Sequence, residues 1–475
     1  MNMEVIPANN MILSYYEKLQ QYEEELFKDL AELVAIRSVL DEQTVSINSP
    51  FGKGIRDVFD KMQEIAKRDS FIVSDFDGYA LHIEHGSGEE IVGILAHLDV
   101  VPEGNREEWI FDPFILTEFN GELYGRGVND DKAPALAAYY ALKILRDLGI
   151  TFNRKIRLIL GGAEETSWEC MNHYFKYNPQ PTMAFSPDGD FPIVNGEKGV
   201  VQGSIFLTTD NPTSEIGIHE LVSIETERQW GFICERIKVV FKSSSTDNLA
   251  PYLLGASKIE VYERNVTAYY EGEKLLSRNP HKGENVFFTF GKDLLRLGQK
   301  LTNISQFQSF IEHVILDDIY GKKIGLFYET EEMGHSTLGI TFITFDGEKF
   351  ELGFDYRYPK LKSSLDLNDK FDLIGRIHNV SVNIHKKIDP LFVDSSSTLI
   401  RKLGEAYRNV TGKKAEVITK GGISYSRAMT NCVAFGPTFE GDNPNTHKPN
   451  EKIRIETLYK AIIIYCEAIR LLATS

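Results

Sequence analysis

Residues 91–99 have the sequence Ile-Val-Gly-Ile-Leu-Ala-His-Leu-Asp. The apolar part, Ile91–Ala96, predicts a strand that is buried on both faces, as in the parallel sheets of α/β proteins. His97 and Asp99 follow this strand two residues apart, so they lie on the same side of an extended chain. A carboxylate beside an imidazole can orient a metal-binding histidine. A hydrogen-bonded structural pair is the alternative interpretation of this pattern taken alone.

The surrounding sequence extends this strand into a sheet. Ile156–Leu160 and Met183–Phe185 are two further short apolar runs, and Ala133–Leu148 has the pattern of a helix. Strand and helix alternating at this spacing predict an α/β sheet. Asp130 or Asp131 is expected to cap the helix.

The pattern changes near residue 200. From there to about residue 384, half-exposed alternating strands are mixed with helices. The predicted elements are a strand over Lys258–Tyr270, a helix over Asn285–Leu301, a hairpin of Ser336–Phe345 and Glu348–Arg357 around Asp346-Gly347, a helix over Leu365–His378 and a strand over Val380–His385. This β-α-β-β-α-β order predicts a ferredoxin-like α+β unit. A second such unit is expected from Val201–Thr208, Arg236–Phe241 and a helix after Thr246.

The predicted architecture is therefore one α/β domain interrupted by an inserted α+β domain. The first comprises residues 1–200 and 385–475, with a long helix at each end, over Ile12–Ile36 and Ile453–Leu472. The inserted domain comprises residues 201–384.

Composition narrows the function classes. The chain has 52 basic and 69 acidic residues and a net charge of −17, which disfavours nucleic acid and anionic membranes as partners. Fully apolar runs such as Ala461–Cys466 are far shorter than a membrane span, and we expect no export signal. The cysteines form no Cys-x-x-Cys pair, which favours the cytoplasm and argues against disulfides: Cys170, Cys234, Cys432 and Cys466.

Further polar residues follow the predicted strands, at the sheet edge where α/β proteins bind ligands. They are Asp130 and Asp131 in Gly125–Lys132, Glu164-Glu165 after Ile156–Leu160, Asp188 after Met183–Phe185, and His447 before the last helix. Each has an ordinary alternative, namely a helix cap, a polar loop or a solvated histidine. Together, two histidines and several carboxylates suit zinc, cobalt or manganese.

The ordered series resembles the dinuclear zinc peptidase family, which contains aminoacylases, deacylases, glutamate carboxypeptidases and carnosinase-like dipeptidases. The motifs are His97-x-Asp99, Gly125-Arg126-Gly127-x-x-Asp130-Asp131-Lys132, Glu164-Glu165, Asp188 and His447. Other segments resemble the bacterial Xaa-His dipeptidase (PepV-like) branch: residues 137–141, 174–176, 195–199 and 433–436.

The resemblance implies two zinc ions per chain and assigns their ligands. Asp130 would bridge the ions, and the Asp130–Asp131 peptide bond is often cis in this family. His97 and Asp188 would be the other ligands of one ion, and Glu165 and His447 would be the other ligands of the second ion.

The resemblance also implies the catalytic and substrate-binding residues. Glu164 would be the general base acting on a hydroxide that bridges the two ions, and Asp99 would orient His97. Arg357 would bind the C-terminal carboxylate of the substrate, with Arg427 and Ser424 also near it. An enlarged inserted domain implies a monomer.

The inserted domain departs from the family pattern. Leu276 occupies the position at which the family has a histidine that donates to the oxyanion. Trp230 and Gly339 occupy two further positions that are usually polar in the family. His281 or His335 could take over from the missing histidine. Three functions stay open: a dipeptidase, an N-acyl amino acid deacylase, and a weakly active or non-catalytic binding relative.

Overall fold

The computed structural model describes residues 10–208, 218–302, 304–361 and 367–474. The chain divides into two compact units. Unit 1 comprises the chain up to Gly196, Val393–Ile418 and the chain from Ile423 onward. Unit 2 comprises Glu197–Phe392 and the short segment Thr419–Gly422. None of the helices in the described ranges is both long and apolar enough to cross a bilayer.

The α-helices are, in chain order, α1 (Asn10–Val34), α2 (Lys53–Arg68), α3 (Lys132–Asp147), α4 (Glu169–Tyr177), α5 (Val286–Leu297), α6 (Ser305–Phe310), α7 (Leu367–His378), α8 (Thr398–Thr411) and α9 (Ile455–Ala473). The predicted helices at the two ends of the chain correspond to α1 and α9.

The strands before residue 198 are β1 (Ile72–Phe76), β2 (Ala80–His85), β3 (Ile91–His97), β4 (Thr117–Phe119), β5 (Glu122–Tyr124), β6 (Lys155–Gly161), β7 (Met183–Ser186), β8 (Gly189–Asp190) and β9 (Ile193–Glu197). The next strands are β10 (Gly199–Thr208), β11 (His219–Glu225), β12 (Arg236–Ser243), β13 (Lys258–Tyr262), β14 (Asn265–Glu271), β15 (Leu301–Thr302), β16 (Glu329–Thr330), β17 (Gly334–His335), β18 (Thr337–Phe345), β19 (Lys349–Tyr358) and β20 (Ser381–Ile388). The remaining strands are β21 (Leu391–Phe392), β22 (Val417–Lys420), β23 (Cys432–Ala434), β24 (Pro437–Thr438) and β25 (Lys452–Arg454).

The main sheet of unit 1 has the strand order β1-β2-β6-β3-β7-β23-β9. Its centre is parallel, because β3 pairs in parallel with β6 and β7, and β7 pairs in parallel with β23. Every residue of β3 is buried, as its continuous apolar sequence predicts. The carboxyl ends of β3, β6 and β7 therefore meet at one edge of the sheet, where the site lies.

The helix α3 is buried on nearly all sides and packs against α9 and α1. Its first half is rich in alanine, which allows neighbouring helices to approach closely. This helix begins at the end of the loop that carries Asp130, so its packing fixes the position of that loop.

The main sheet of unit 2 has the strand order β13-β14-β12-β11-β18-β19-β10-β20. The predicted hairpin is confirmed as β18 and β19, with Phe345 opposite Phe350 across the turn. The mixed α/β architecture is likewise confirmed. Residues 365 and 366, at the start of the predicted helix over Leu365–His378, lie outside the described residues.

Several details of the inserted region differ from the prediction. The strand predicted over Lys258–Tyr270 is wrong: it is the hairpin β13–β14, which turns at Glu263 with a left-handed φ of 53°. Neither of the two central residues of this turn, Glu263 and Arg264, is a glycine, asparagine or proline. The helix α5 ends at Leu297 and not at Leu301, because Gly298 has a positive φ. After Thr246 the chain forms two short 3₁₀ turns and no long helix.

The topology of the predicted β-α-β-β-α-β unit is also corrected. The strand that lies between β19 and β20 is β10, paired antiparallel to both. The first strand of that unit is thus β10, whereas Lys258–Tyr270 belongs to the other half of the sheet. Pairing between strands far apart in sequence decides this order, and local patterning does not encode it.

Candidate metal centre

The three parallel strands β3, β6 and β7 each deliver metal-type ligands to one edge of the unit 1 sheet. His97 is the last residue of β3, Glu164 and Glu165 follow β6, and Asp188 follows β7. The ligand atoms of His97, Glu164 and Asp188 lie within 4.8 Å of one another, as do those of His97, Asp130 and Glu165.

Asp130 lies between the two histidines of the site. Its Oδ1 is 3.0 Å from His97 Nε2, and its Oδ2 is 2.9 Å from His447 Nε2. The same nitrogen of His447 is 2.9 Å from Glu165 Oε1. One carboxylate thus faces a different imidazole with each oxygen, which is the arrangement that a bridging ligand requires.

Asp99 contacts both His97 and the two glutamates of the site. The Nδ1 of His97 is 2.9 Å from the backbone oxygen of Asp99 and 3.5 Å from its carboxylate. The carboxylate instead accepts the backbone N–H groups of Glu164 at 3.2 Å and of Glu165 at 3.1 Å. Asp99 therefore orients His97 through its backbone and holds the two glutamates through its side chain.

Asp131 precedes α3, but its side chain does not cap the helix. Its Oδ2 accepts the backbone N–H of His97 at 3.0 Å, and the Asp130–Asp131 peptide bond is cis. Its Oδ1 is buried without a hydrogen-bond partner among the described residues. A buried carboxylate oxygen without a partner is costly unless positive charge lies nearby, so this atom fits a site that holds cations.

Glu451 is a residue of this site to which the sequence analysis assigned no role. It is fully buried, and its carboxylate accepts the backbone N–H groups of Gly127, Asn129 and Asp130 at 2.9–3.2 Å. Arg126 completes the arrangement with a 2.7 Å ion pair. Arg126 belongs to the motif Gly125–Lys132, and Glu451 follows His447 by four residues; this proximity is the signal in the sequence.

The pKa values show how strongly the site favours positive charge. Burial alone would lower the pKa of His447, but its hydrogen bonds to Asp130 and Glu165 raise it to about 11. Burial of His97 is likewise outweighed by Asp130 and Asp99, which raise its pKa well above the usual value. Burial raises the pKa of Glu164, and the nearby carboxylates add to this effect. Divalent cations would satisfy the same excess of buried carboxylate, and the imidazole and carboxylate donors suit zinc.

Tyr425 is a second residue without an assigned role. Its ring packs edge-on to His97, with centroids 6.0 Å apart, and its hydroxyl is 2.9 Å from Cys170 Sγ. A side chain on Gly161 would place its Cβ only 1.8 Å from that hydroxyl, so β6 must end in glycine. Next to it, Ser424 is nearly buried and lies 2.5 Å from Ser426, oxygen to oxygen.

Arg427 is half-buried in unit 1, and its backbone N–H donates to Ser424 O at 3.2 Å. Arg357 belongs to unit 2. Its Nε and Nη2 donate to the two oxygens of Asp355 at 2.5 and 2.8 Å, and its Nη1 donates to Gly421 O at 2.9 Å. Two residues apart on β19, Asp355 and Arg357 share one face of the strand, which the sequence spacing indicates.

Two of the three departures in unit 2, Trp230 and Gly339, have packing explanations. Trp230 contacts the rings of Phe342 and His385 at centroid distances of 5.1 and 5.0 Å. A Cβ on Gly339 would lie 2.8 Å from the backbone oxygen of Ser277, so this position requires glycine. Leu276 is 39% exposed, and thus the residue at the predicted histidine position is not used for core packing.

The two alternative histidines also lie in unit 2. His335 Nδ1 is 3.1 Å from Ser336 O, and its ring packs edge-on to Tyr320. Burial lowers the pKa of His281, and the neighbouring Lys282, His335 and Lys198 lower it further.

The chain is similar to known peptidases along most of its length. The sequence profile described as peptidase family M20/M25/M40 matches residues 93–471. A protein of Staphylococcus aureus strain MW2 named "Putative dipeptidase" is 34% identical over 469 residues, covering 95% of this chain and 98% of the relative. Its counterpart in Bacillus subtilis strain 168 is 32% identical over 464 residues, covering 95% and 97%.

Solved structures share the fold. Human carnosine dipeptidase 1 superposes with a TM-score of 0.57 at 18% identity, covering 98% of this chain and 99% of that one. Aminoacylhistidine dipeptidase from Vibrio alginolyticus has a TM-score of 0.56 at 14% identity, with 93% and 96% covered. The family profile and the relatives named dipeptidases indicate a hydrolytic metallopeptidase. The chain belongs to peptidase family M20/M25/M40, which confirms the resemblance found in the sequence.

Proposed function

We propose that the protein is a dipeptidase that uses two zinc ions. The observation that carries this proposal is the position of Asp130, whose two oxygens face His97 and His447 at 3.0 and 2.9 Å. A carboxylate placed in this way suits a bridge between two cations. Asp188 would be a further ligand of the ion bound by His97, and Glu165 would be a further ligand of the ion bound by His447.

Bound metal ions would polarise the scissile carbonyl and lower the pKa of the attacking water. We assign to Glu164 the proton transfer: its carboxylate takes a proton from that water and passes it to the leaving amine nitrogen. Its buried position raises its pKa, which makes it a better base than an ordinary surface glutamate. The hydrogen bond from its backbone to Asp99 fixes its location.

Dipeptides are the proposed substrates because the relatives that match over nearly the whole chain are named dipeptidases. The test is hydrolysis of a panel of dipeptides, tripeptides and N-acyl amino acids after the protein is loaded with zinc, cobalt or manganese. Metal-dependent cleavage confined to dipeptides is expected. Cleavage only of N-acyl amino acids would assign the protein as a deacylase, and no cleavage of either class would favour a binding relative.

We further propose that the protein acts in the cytoplasm as a monomer, without nucleic acid or membrane partners. The net charge of −17 and four buried cysteines, none of which forms a disulfide bond, support this setting. Sedimentation that shows a tight dimer would contradict the monomer.

A further inference from the structure

We propose that Trp168 is a positioning residue that keeps the neighbouring glutamates Glu164 and Glu165 in two separate roles. It does so by fixing the peptide group that joins them. The inference rests on the proposed function, in which Glu165 binds the ion at His447 and Glu164 transfers a proton. All the residues concerned belong to unit 1.

Two adjacent carboxylates with different partners require a fixed backbone between them. The carboxylate of Glu165 is 2.9 Å from His447 Nε2, whereas that of Glu164 groups with His97 and Asp188. Rotation of the peptide group between the two glutamates would redirect both side chains. The two residues lie between β6 and α4, outside any regular element that would prevent this rotation.

Both polar atoms of this peptide group are hydrogen-bonded. On one edge, the N–H of Glu165 donates to Asp99 Oδ2 at 3.1 Å. On the other edge, the indole Nε1 of Trp168 donates to the backbone oxygen of Glu164 at 2.7 Å. Because the peptide group is planar, bonds at its two opposite edges together fix its rotation. With Asp99 alone the group would be able to pivot about a single bond.

Trp168 is itself held on several sides. Its backbone N–H donates to Ala163 O at 2.8 Å, and its carbonyl oxygen accepts from Met171 and Asn172 at 3.2 Å each, at the start of α4. Its indole ring packs against the ring of Tyr425, with centroids 6.1 Å apart. The donor therefore cannot leave the Glu164 carbonyl without disturbing these contacts.

The backbone conformation of Trp168 indicates that its side chain is needed. The residue has a φ of 59° and a ψ of 12°, in the left-handed region, and its side chain makes no capping bond to α4. A bulky residue adopts this conformation at a cost, whereas glycine adopts it readily. The local backbone gains nothing from tryptophan, so the gain must come from what the indole contacts.

The first measurement titrates cobalt into the full-length wild type and Trp168→Phe, followed by visible absorption and elemental analysis. Phenylalanine keeps an aromatic ring but has no N–H to donate. We expect the ion at Glu165 and His447 to be bound about 10- to 100-fold more weakly, the usual effect of losing a group that supports metal ligands. The ion at His97 and Asp188 should be little changed. The spectrum of His447→Ala identifies which ion is lost.

The second measurement is amide hydrogen exchange of residues 163–168 in the presence of chelator, so that metal does not contribute. Without the indole bond the peptide group can rotate away from Asp99, and exchange should become about 10-fold faster, the effect of one lost hydrogen bond. Trp168→Gly removes the backbone cost at φ 59° as well as the indole, and it should show the same two changes. Wild-type cobalt affinity in Trp168→Gly would show that the indole is not responsible.

Trp109→Phe is the matched control. Trp109 is also in unit 1, and its indole donates to the backbone oxygen of Glu103 at 2.9 Å. Phenylalanine keeps a ring beside the Arg126 guanidinium, which lies over the Trp109 ring at 5.2 Å. This variant loses the same kind of hydrogen bond, but it should keep the cobalt affinity and the exchange of residues 163–168.

Unchanged cobalt affinity or unchanged exchange in Trp168→Phe would overturn the inference, as would the same changes in Trp109→Phe. A wild type that binds no cobalt would overturn it as well. Turnover of dipeptides by the wild type tests the proposed function separately. If the wild type hydrolyses nothing but Trp168→Phe selectively loses one ion, only the proposed function is refuted.

Discussion

The carboxylate of Glu451 holds the backbone of Asp130, whose N–H donates to Glu451 Oε1 at 3.1 Å. Through this bond the segment that follows His447 is tied to the loop that carries the proposed bridging ligand. Glu451 also accepts from Asn129 and pairs with Arg126, so the loop is held by one buried anion.

Glu451→Gln should weaken metal binding by about 10- to 100-fold, the usual effect of changing a residue that supports metal ligands. The amide also leaves Arg126 buried without its anion, which should lower the free energy of unfolding by about 3 kcal/mol. Competition with a chelator and denaturant unfolding measure the two effects. Glu456→Gln is the control, since Glu456 is exposed and pairs only with Lys460. Unchanged metal affinity in Glu451→Gln would contradict the positioning role.

Asp130→Ala should remove both metal ions, because the proposed bridge serves both, whereas His447→Ala should weaken mainly one. Metal content after dialysis, measured by elemental analysis, distinguishes the two variants. Two ions retained by Asp130→Ala would show that Asp130 is not the bridge. A wild type that holds no metal after loading with zinc would refute the site altogether.

Glu164→Gln should abolish turnover and leave metal binding nearly intact. The amide keeps the shape of the side chain but cannot carry the proton. Both the rate of hydrolysis and the metal content of the variant are measured. If the rate is near that of the wild type, the general-base assignment is wrong. If metal is lost instead, the roles of Glu164 and Glu165 are exchanged.

His82 should make stability depend on pH. Burial, and then the Arg157 guanidinium, lower its pKa from 6.5 to about 4 in the folded chain. The unfolded chain therefore binds a proton near pH 6.5, whereas the folded chain does so only near pH 4. Stability from this group is fully present above pH 6.5 and falls as the pH drops to 4, by up to about 3 kcal/mol.

The measurement is chemical unfolding at pH 7 and pH 4 with excess chelator, so that loss of metal does not contribute. His82→Phe should show a smaller loss of stability between the two pH values than the wild type. His313→Phe is the control, because the side chain of His313 is 70% exposed. Equal losses in the wild type and His82→Phe would exclude His82 as the source.

Leu276→His should raise the rate of dipeptide hydrolysis, by at most about 100-fold, which is the effect of one oxyanion donor. Leu276 is 39% exposed, so an imidazole fits without repacking the core of unit 2. Leu254→His, at another exposed leucine of the same unit, is the control and should have no effect. Rapid hydrolysis of dipeptides by the wild type would refute the loss of the oxyanion donor. The variants His281→Ala and His335→Ala would then identify the residue that replaces it.

Local sequence patterns predicted those parts of the fold whose physical basis is local. Ile91–Ala96 is continuously apolar because β3 is covered on both faces, and Asp346-Gly347 allows the tight turn of the β18–β19 hairpin. The order of polar motifs after strands also predicted which residue types gather at the sheet edge. These conclusions need only the period of a strand, the conformational range of glycine and the rule that parallel strands end together.

Tertiary structure alone decided which groups meet. The sequence contains no local signal that β10 lies between β19 and β20, or that the chain turns at Glu263, because these features depend on pairing with distant strands. The same holds for the site. His97, Asp130 and His447 are separated by long stretches of chain, and only the folded unit places both oxygens of one carboxylate against two imidazoles.

The ion pair of Asp355 and Arg357 in unit 2 shows the same division. The sequence placed Asp355 and Arg357 on one face of a strand, which is a local relationship. That Gln202 and Ser277 also bond to Asp355 depends on contacts between separate strands and loops. Residue type and spacing thus determined the chemistry available to this protein. Folding decided which charges are neutralised inside it and which are left to bind a ligand, because Coulomb and hydrogen-bond energies depend on distances that the sequence does not contain.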